Sequence, residues 1–207
     1  MRHFPEIQLS AAAARVLGCL LEKEAVTPDH YPMTLNALVA ACNQTTSRHP
    51  VTDYRGTDIE QALLELSEEY LVSKCLGGRA AKYEHNLPDV LALSDGERAV
   101  LTVLLLRGTQ TAGELKQRTD RMHAFASLAE VEEILAGFIE YPHGPLVERL
   151  PAGGGRRVET FRHLLGGGDD VEAEPLSAQA EAADWRQSVE QRLAALEAEV
   201  SRLRGGE

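Results

Sequence analysis

The feature that most limits how this chain can fold is a repeat in the order of its elements. Two apolar stretches with helical character, Arg15-Val-Leu-Gly-Cys-Leu-Leu21 and Ala99-Val-Leu-Thr-Val-Leu-Leu105, stand 84 positions apart. Each is followed by a short helical segment, Thr34 to Ala41 or Thr111 to Arg118, and then by a longer one beginning at Thr57 or Ser127. Four segments carry a hydroxyl residue with glutamate three positions later: Thr57 to Glu60, Ser94 to Glu97, Thr111 to Glu114 and Ser127 to Glu130. In that pattern the hydroxyl accepts from an orphan amide of the first turn while the carboxylate reaches back, so each marks a helix start. Ile59, Leu63, Leu66 and Tyr70, like Val131, Leu135 and Phe138, recur at helical intervals and give each longer helix one face to bury. Pro32 holds Tyr31 extended, which makes Thr34 the expected cap of the first short helix.

Each longer helix leads into a strand-like stretch, Leu71 to Leu76 or Leu146 to Leu150. Glycine-containing turns follow, Gly77-Gly78-Arg79 and Gly153-Gly-Gly155-Arg156, and the returning strands hold Lys82 to His85 and Val158 to His163. Each half therefore reads helix, helix, helix, hairpin, the order of a winged helix. The expected fold class is α+β and mainly helical: two tandem winged-helix domains, residues 1–88 and 89–165, each closing its own apolar centre, plus a C-terminal helix. An acidic, glycine-rich linker is expected over 166–178 and the last helix over 179–207. There Val189, Leu193, Leu196, Val200 and Leu203 alternate spacings of four and three, the period of a coiled-coil seam. Two outcomes stay open for this seam: a parallel homodimer, in which Arg192 and Glu199 face Glu197 and Arg204 of the partner, or a solvated helix folded back on its own domain.

A 43% hydrophobic content over 207 residues can supply real cores. No run of 18 apolar residues occurs and Met1 to Ser10 lacks the apolar stretch of a secretory signal, so the expectation is a cytoplasmic chain without a membrane partner. Cys19, Cys42 and Cys75 are an odd number at wide spacings, which fits reduced thiols in core or boundary positions. Phosphate-binding, zinc-protease, redox and nucleophile-elbow motifs are missing from the sequence, and the expectation is a protein that is not an enzyme and needs no cofactor. The seven histidines are scattered. Cys42 with His49 comes nearest to a metal pair, but two ligands fall short of the four that a closed site needs, so no metal is expected.

The net charge of −11, of which the segment from Gly166 onward supplies −6, disfavours a phosphate backbone unless cations are segregated. In a helix-turn-helix the last helix normally lies in the major groove. Here that helix carries Asp58, Glu60, Glu65, Glu68 and Glu69 in one half and Glu130, Glu132, Glu133 and Glu140 in the other, with no lysine or arginine. Such helices repel phosphate. Positive residues gather instead around the second short helix (Arg107, Lys116, Arg118, Arg121, His123) and its wing (Arg156, Arg157, Arg162), with a thinner set, Arg48, Arg55, Arg79 and Lys82, in the first half. Two functional readings follow. In the first, a regulatory protein contacts the phosphates of double-stranded DNA through Arg118, Arg121, Arg156 and Arg157 while its acidic helices face away. In the second, an adaptor presents those helices and the C-terminal seam to protein partners, a reading by fold analogy. The bland alternative for the arginines is a solvated face of internal salt bridges. Asn43-Gln44 is read as a local backbone partner in preference to an adenine reader.

The strings Leu21-Glu-Lys-Glu-Ala-Val-Thr-Pro-Asp-His-Tyr-Pro32, Ala41-Cys-Asn-Gln44 and Arg48-His-Pro-Val51 resemble the YceH-like family of uncharacterised bacterial proteins. So do Leu104-Leu-Leu-Arg-Gly-Thr-Gln-Thr-Ala-Gly-Glu-Leu115, Arg121-Met-His123, Glu130-Val-Glu132 and Gly144-Pro-Leu-Val147. The likeness runs from about Leu9 to Leu165. It implies a tandem winged-helix fold and brings no activity or catalytic residues with it. Thr45 stands where that family is expected to carry lysine, and Ala112 where proline is common.

Overall fold

Local capping chemistry accounts for where most of the helices begin. In the computed structural model, which describes residues 7–75, 80–153 and 157–166, the first helix, α1 (Ala11–Val26), starts where the Ser10 hydroxyl accepts from the Ala13 amide at 3.2 Å. Ser10 is itself pinned by the Glu65 carboxylate, at 2.6 Å from its amide and 2.7 Å from its hydroxyl. A 3-10 turn over Pro28–His30 and strand β1 (Met33–Thr34) lead to α2 (Leu35–Cys42), capped by Thr34 as expected. Next come α3 (Gly56–Glu68), β2 (Val72–Cys75) and β3 (Lys82–His85). A single turn, α4 (Leu87–Val90), occupies the junction around Pro88 and Asp89. The order then recurs as α5 (Asp95–Arg107), α6 (Ala112–Thr119), α7 (Leu128–Ile139), β4 (Val147–Leu150) and β5 (Thr160–His163).

Ser94 with Glu97 and Thr111 with Glu114 form reciprocal capping boxes, and Ser127 caps α7 from its hydroxyl while Glu130 reaches one residue further back, to Ala126. The start expected at Thr57 needs correction. Asp58 accepts from the Arg55 amide at 2.8 Å and from the Arg55 guanidinium, so α3 opens at Arg55 and Thr57 already lies in its first turn. Thr111→Ala should cost about 1 kcal/mol, because it orphans an amide in the first turn of a helix only eight residues long. A denaturant midpoint equal to that of the wild type would show that solvent serves the amide as well.

The strands make two small antiparallel sheets. In the first half β3 is central, pairing β2 from Val72↔His85 to Cys75↔Lys82 and β1 through Met33↔Tyr83. In the second half β4 pairs β5 from Val147↔His163 to Leu150↔Thr160. Gln110, just ahead of α6, bridges Phe161 of β5 and so stands where β1 stands in the first half. The architecture is α+β and about half helical, with seven helices among the described residues. None of them is long and apolar enough to cross a membrane. The linker beyond Gly166, the seam helix and the turns at 76–79 and 154–156 lie outside the described residues.

The cores of the two halves are not separate. Residues 13–22 of α1 and 99–106 of α5 are buried on all sides, with Arg15 and Glu22 the only charged residues among them, and stretches so largely apolar have to be covered all round. The two cover each other, and a single apolar cluster joins Leu17, Leu20, Leu38 and Leu66 to Leu101, Leu104, Leu135 and Phe138. Gly18 sits at the crossing, where an added Cβ would lie 2.9 Å from Leu106 and 3.1 Å from Leu105. Two backbone bonds further tie the halves, from the His49 amide to the Leu106 carbonyl at 2.9 Å and from Leu9 to Leu165 at 2.8 Å. Cys19 and Cys42 are buried free thiols in this core and Cys75 is half-buried.

Candidate nucleic-acid interface

Arg118, on the last turn of α6, has Glu114 four residues earlier on the same helix face and Gln110 at the edge of β5 beside it. Its guanidinium bonds the Gln110 side-chain oxygen and lies 3.4 Å from the Glu114 carboxylate, leaving 13% of the side chain exposed. Arg118 is therefore a brace between α6 and the sheet edge. Arg121 follows α6 and is exposed; its guanidinium donates to the Ser47 hydroxyl at 3.0 Å, reaching the connection between α2 and α3 in the other half. Both arginines line a narrow crevice with Arg107 and Ser47. Arg157 is exposed in the β4–β5 connection, and Arg156 lies outside the described residues. Arg162 is paired across the hairpin with Glu148.

Arg121 also borders a wider groove of about 350 Å³ on the first half, whose rim carries Gln44, Thr45, Thr46 and Ser47 opposite Lys23. The acid of this groove, Glu22, is already matched. Arg48 meets it at 2.6 and 3.1 Å, and Arg48 also donates to the carbonyls of Ala41 and Ser47 at 2.9 Å each. Burial alone would lift the Glu22 carboxyl, but the bonds and charge of Arg48, helped by Lys23, outweigh it and hold the group below the usual carboxylate range. The groove thus offers hydroxyl and amide donors and an exposed guanidinium, with its one carboxylate neutralised by Arg48 from behind and by the Lys23 ammonium at 3.4 Å.

Arg48, grouped by sequence with the surface cations, is buried: its side chain has no exposure. Arg15 is a second buried arginine, and one that sequence reasoning misses; it donates to the carbonyls of Cys42 at 3.0 Å and Pro50 at 2.8 Å. The only signal is a lone cation inside an otherwise apolar stretch of helix. Asn43 serves the backbone as expected, with its amide on the Tyr54 carbonyl and its oxygen on the Tyr54 amide, both at 2.8 Å. Gln44 faces the groove instead.

The outer faces of the longer helices are acidic. Glu60 and Glu68 are exposed on α3 and Glu132 and Glu133 on α7. Between the α3 acids Leu64 is 60% exposed, and Tyr70, just past the helix, is 70% exposed.

A family profile described as a protein of unknown function, DUF480, matches residues 9–156. A UPF0502 protein of Geobacter sulfurreducens is 45% identical over 200 residues, spanning 96% of this chain and 91% of its own. A UPF0502 protein of Mesorhizobium japonicum is 45% identical over 200 residues, with 95% and 93% covered. One of Klebsiella pneumoniae is 42% identical over 208 residues, again with 95% and 93% covered.

Proposed function

Because this chain belongs to the DUF480, or UPF0502, family of proteins of unknown function, its activity has to be read from its own surface, and we propose that it is a non-enzymatic regulatory protein of the cytoplasm that associates with DNA. In this reading the repeated helix, helix, helix, hairpin order is a pair of tandem winged-helix units joined through α1 and α5. Contact is made with phosphates and not with base edges, because α3 and α7 expose carboxylates that would be driven out of a groove. The observation that carries the proposal is the groove beside Arg121, where this exposed cation and four neutral donors surround a carboxylate already neutralised by Arg48 and Lys23. Arg156 and Arg157 at the second hairpin would supply further phosphate contacts, and Arg118 holds the crevice wall.

The test is a fluorescence-anisotropy titration of duplex DNA at low salt, with folding checked in parallel. Absence of binding to any duplex would end the proposal. Arg121→Ala should weaken binding to all sequences alike and reduce the slope of log affinity against log salt by about 1, the signature of one lost phosphate contact.

A second reading is an adaptor without direct DNA binding. Leu64, exposed on α3 with Glu60 and Glu68 one turn to either side, favours it, since an exposed apolar side chain flanked by acids suits a partner with basic and apolar side chains. The heptad spacing from Val189 to Leu203 adds a route to a homodimer. Under this reading the partners survive nuclease treatment and are lost with Leu64→Lys, whereas DNA association predicts the reverse.

A further inference from the structure

A second cavity, of about 400 Å³, opens between the C-terminal half of α1 and the N-terminal half of α5, and the phosphate-binding reading makes no use of it. Its apolar wall is built by Leu21, Ala25, Ala99 and Met122. Its polar wall is Glu24, Asp95 and Arg98, with Thr102 and His123 completing the lining. Glu24 is held from behind by His85, whose side chain is 1% exposed and whose Nε2 lies 2.9 Å from the carboxylate. The other ring nitrogen, Nδ1, accepts from the Leu87 amide at 3.3 Å, which puts the ring proton on Nε2 and makes His85 a neutral donor. Burial keeps this imidazole below its ordinary value even with Glu24 beside it. A neutral donor orients the carboxylate without cancelling its charge.

The cation in reach is Arg98, 4.0 Å from Glu24 and already engaged with Asp95 at 2.5 Å. Two carboxylates thus share one guanidinium, and with the His123 ring neutral the cavity is one positive charge short beside a hydrocarbon wall. Its size falls in the range of small-ligand pockets. We propose that this cavity binds a small organic ammonium ion with a short hydrocarbon chain, an aliphatic amine or diamine, its nitrogen on Glu24 and its chain along Leu21, Ala25, Ala99 and Met122. Because α1 and α5 belong to different halves, such a ligand touches both and stabilises the assembled state by mass action. This site does not depend on the DNA reading.

Isothermal titration calorimetry of the full chain with butylamine and putrescine tests it, with butanol and butyrate as isosteres that lack the charge or reverse it. The two amines should bind and the isosteres should not. Glu24→Gln keeps an acceptor for His85 but removes the charge, and should weaken amine binding at least tenfold. Ala25→Phe, at an exposed position on the cavity rim, should abolish binding by filling the space while leaving every charge in place. Absence of amine binding at millimolar concentration would overturn the proposal. So would equal binding of butanol, or amine affinity unchanged in Ala25→Phe, which is the behaviour of a diffuse attraction to an acidic surface.

Discussion

Replacing Arg48 with alanine should destabilise the protein by about 3–5 kcal/mol, the cost of breaking a buried ion pair by removing one partner. The side chain is wholly buried and makes two bonds to Glu22, so its removal leaves a buried carboxylate with only Lys23, 3.4 Å away, as counter-charge and two carbonyls, of Ala41 and Ser47, without their donor. For a domain of this size the melting temperature should fall by roughly 10 °C or more. The pairing with Glu22→Leu is the more telling measurement. Arg48→Met in that background should recover most of the loss, because the cost comes from orphaning a charge and less from losing the pair itself. A single variant that melts with the wild type would mean that Glu22 is not buried against Arg48 at all.

The same pair sets a pH dependence whose sign can be worked out. Glu22 is held below the ordinary carboxylate value of about 4.3, so the unfolded chain takes up its proton first as the pH falls. Its stabilising contribution is complete above that value and is lost as the pH drops through the lower, native one. In Arg48→Ala the burial that pushes the Glu22 carboxyl up is opposed by Lys23 alone, and protonation then relieves much of the strain. The stability gap between variant and wild type should therefore narrow between pH 7 and pH 4. A gap that stays constant over that window would assign the loss to the carbonyls alone.

What can be read in the sequence and what cannot divide along the range of the interactions. Ser94, Thr111 and Ser127 announce helices because a cap involves neighbours three positions away, and β3 falls where its residues predict because the hairpin is local. The start of α3 differs from the Thr57 pattern because two overlapping caps compete there, and the shorter carboxylate of Asp58 takes the Arg55 amide. Glu114 at the i−4 position already marks Arg118 as half-committed. Nothing comparable marks Arg48, whose partner lies 26 residues away, or the reach of Arg121 to Ser47 across 74 residues. Nor does a helix whose middle is buried on every side reveal in its sequence which neighbour will cover it, and so α1 and α5, each expected to centre its own half, cover each other instead.

That mutual cover makes Gly18→Leu the second large effect. Glycine within a helix is ordinarily a liability of about 1 kcal/mol against alanine, and its presence in the middle of α1 is explained by what lies opposite. A Cβ there would come within 2.9 to 3.1 Å of Leu106 and Leu105, and a leucine side chain would need volume that α5 already fills. Overpacking of this kind costs about 1–3 kcal/mol when neighbours can shift. Here they can shift only by parting two buried helices, so the loss should reach about 3 kcal/mol, at the upper end of that range. Alanine is the calibrating variant: its Cβ meets Leu106 Cδ2 at 2.9 Å and Leu105 Cβ at 3.1 Å, a crowding that its better helix propensity offsets in part, so Gly18→Ala should cost clearly less than Gly18→Leu. Because the crossing joins the halves, Gly18→Leu should also raise hydrogen exchange in α7 and β5, whose core residues Phe138 and Phe161 belong to the same cluster and lie in the other half of the chain. Exchange that rises in the first half alone would show two cores that merely touch. Exchange that rises in both would show that the crossing at Gly18 governs how the halves unfold together.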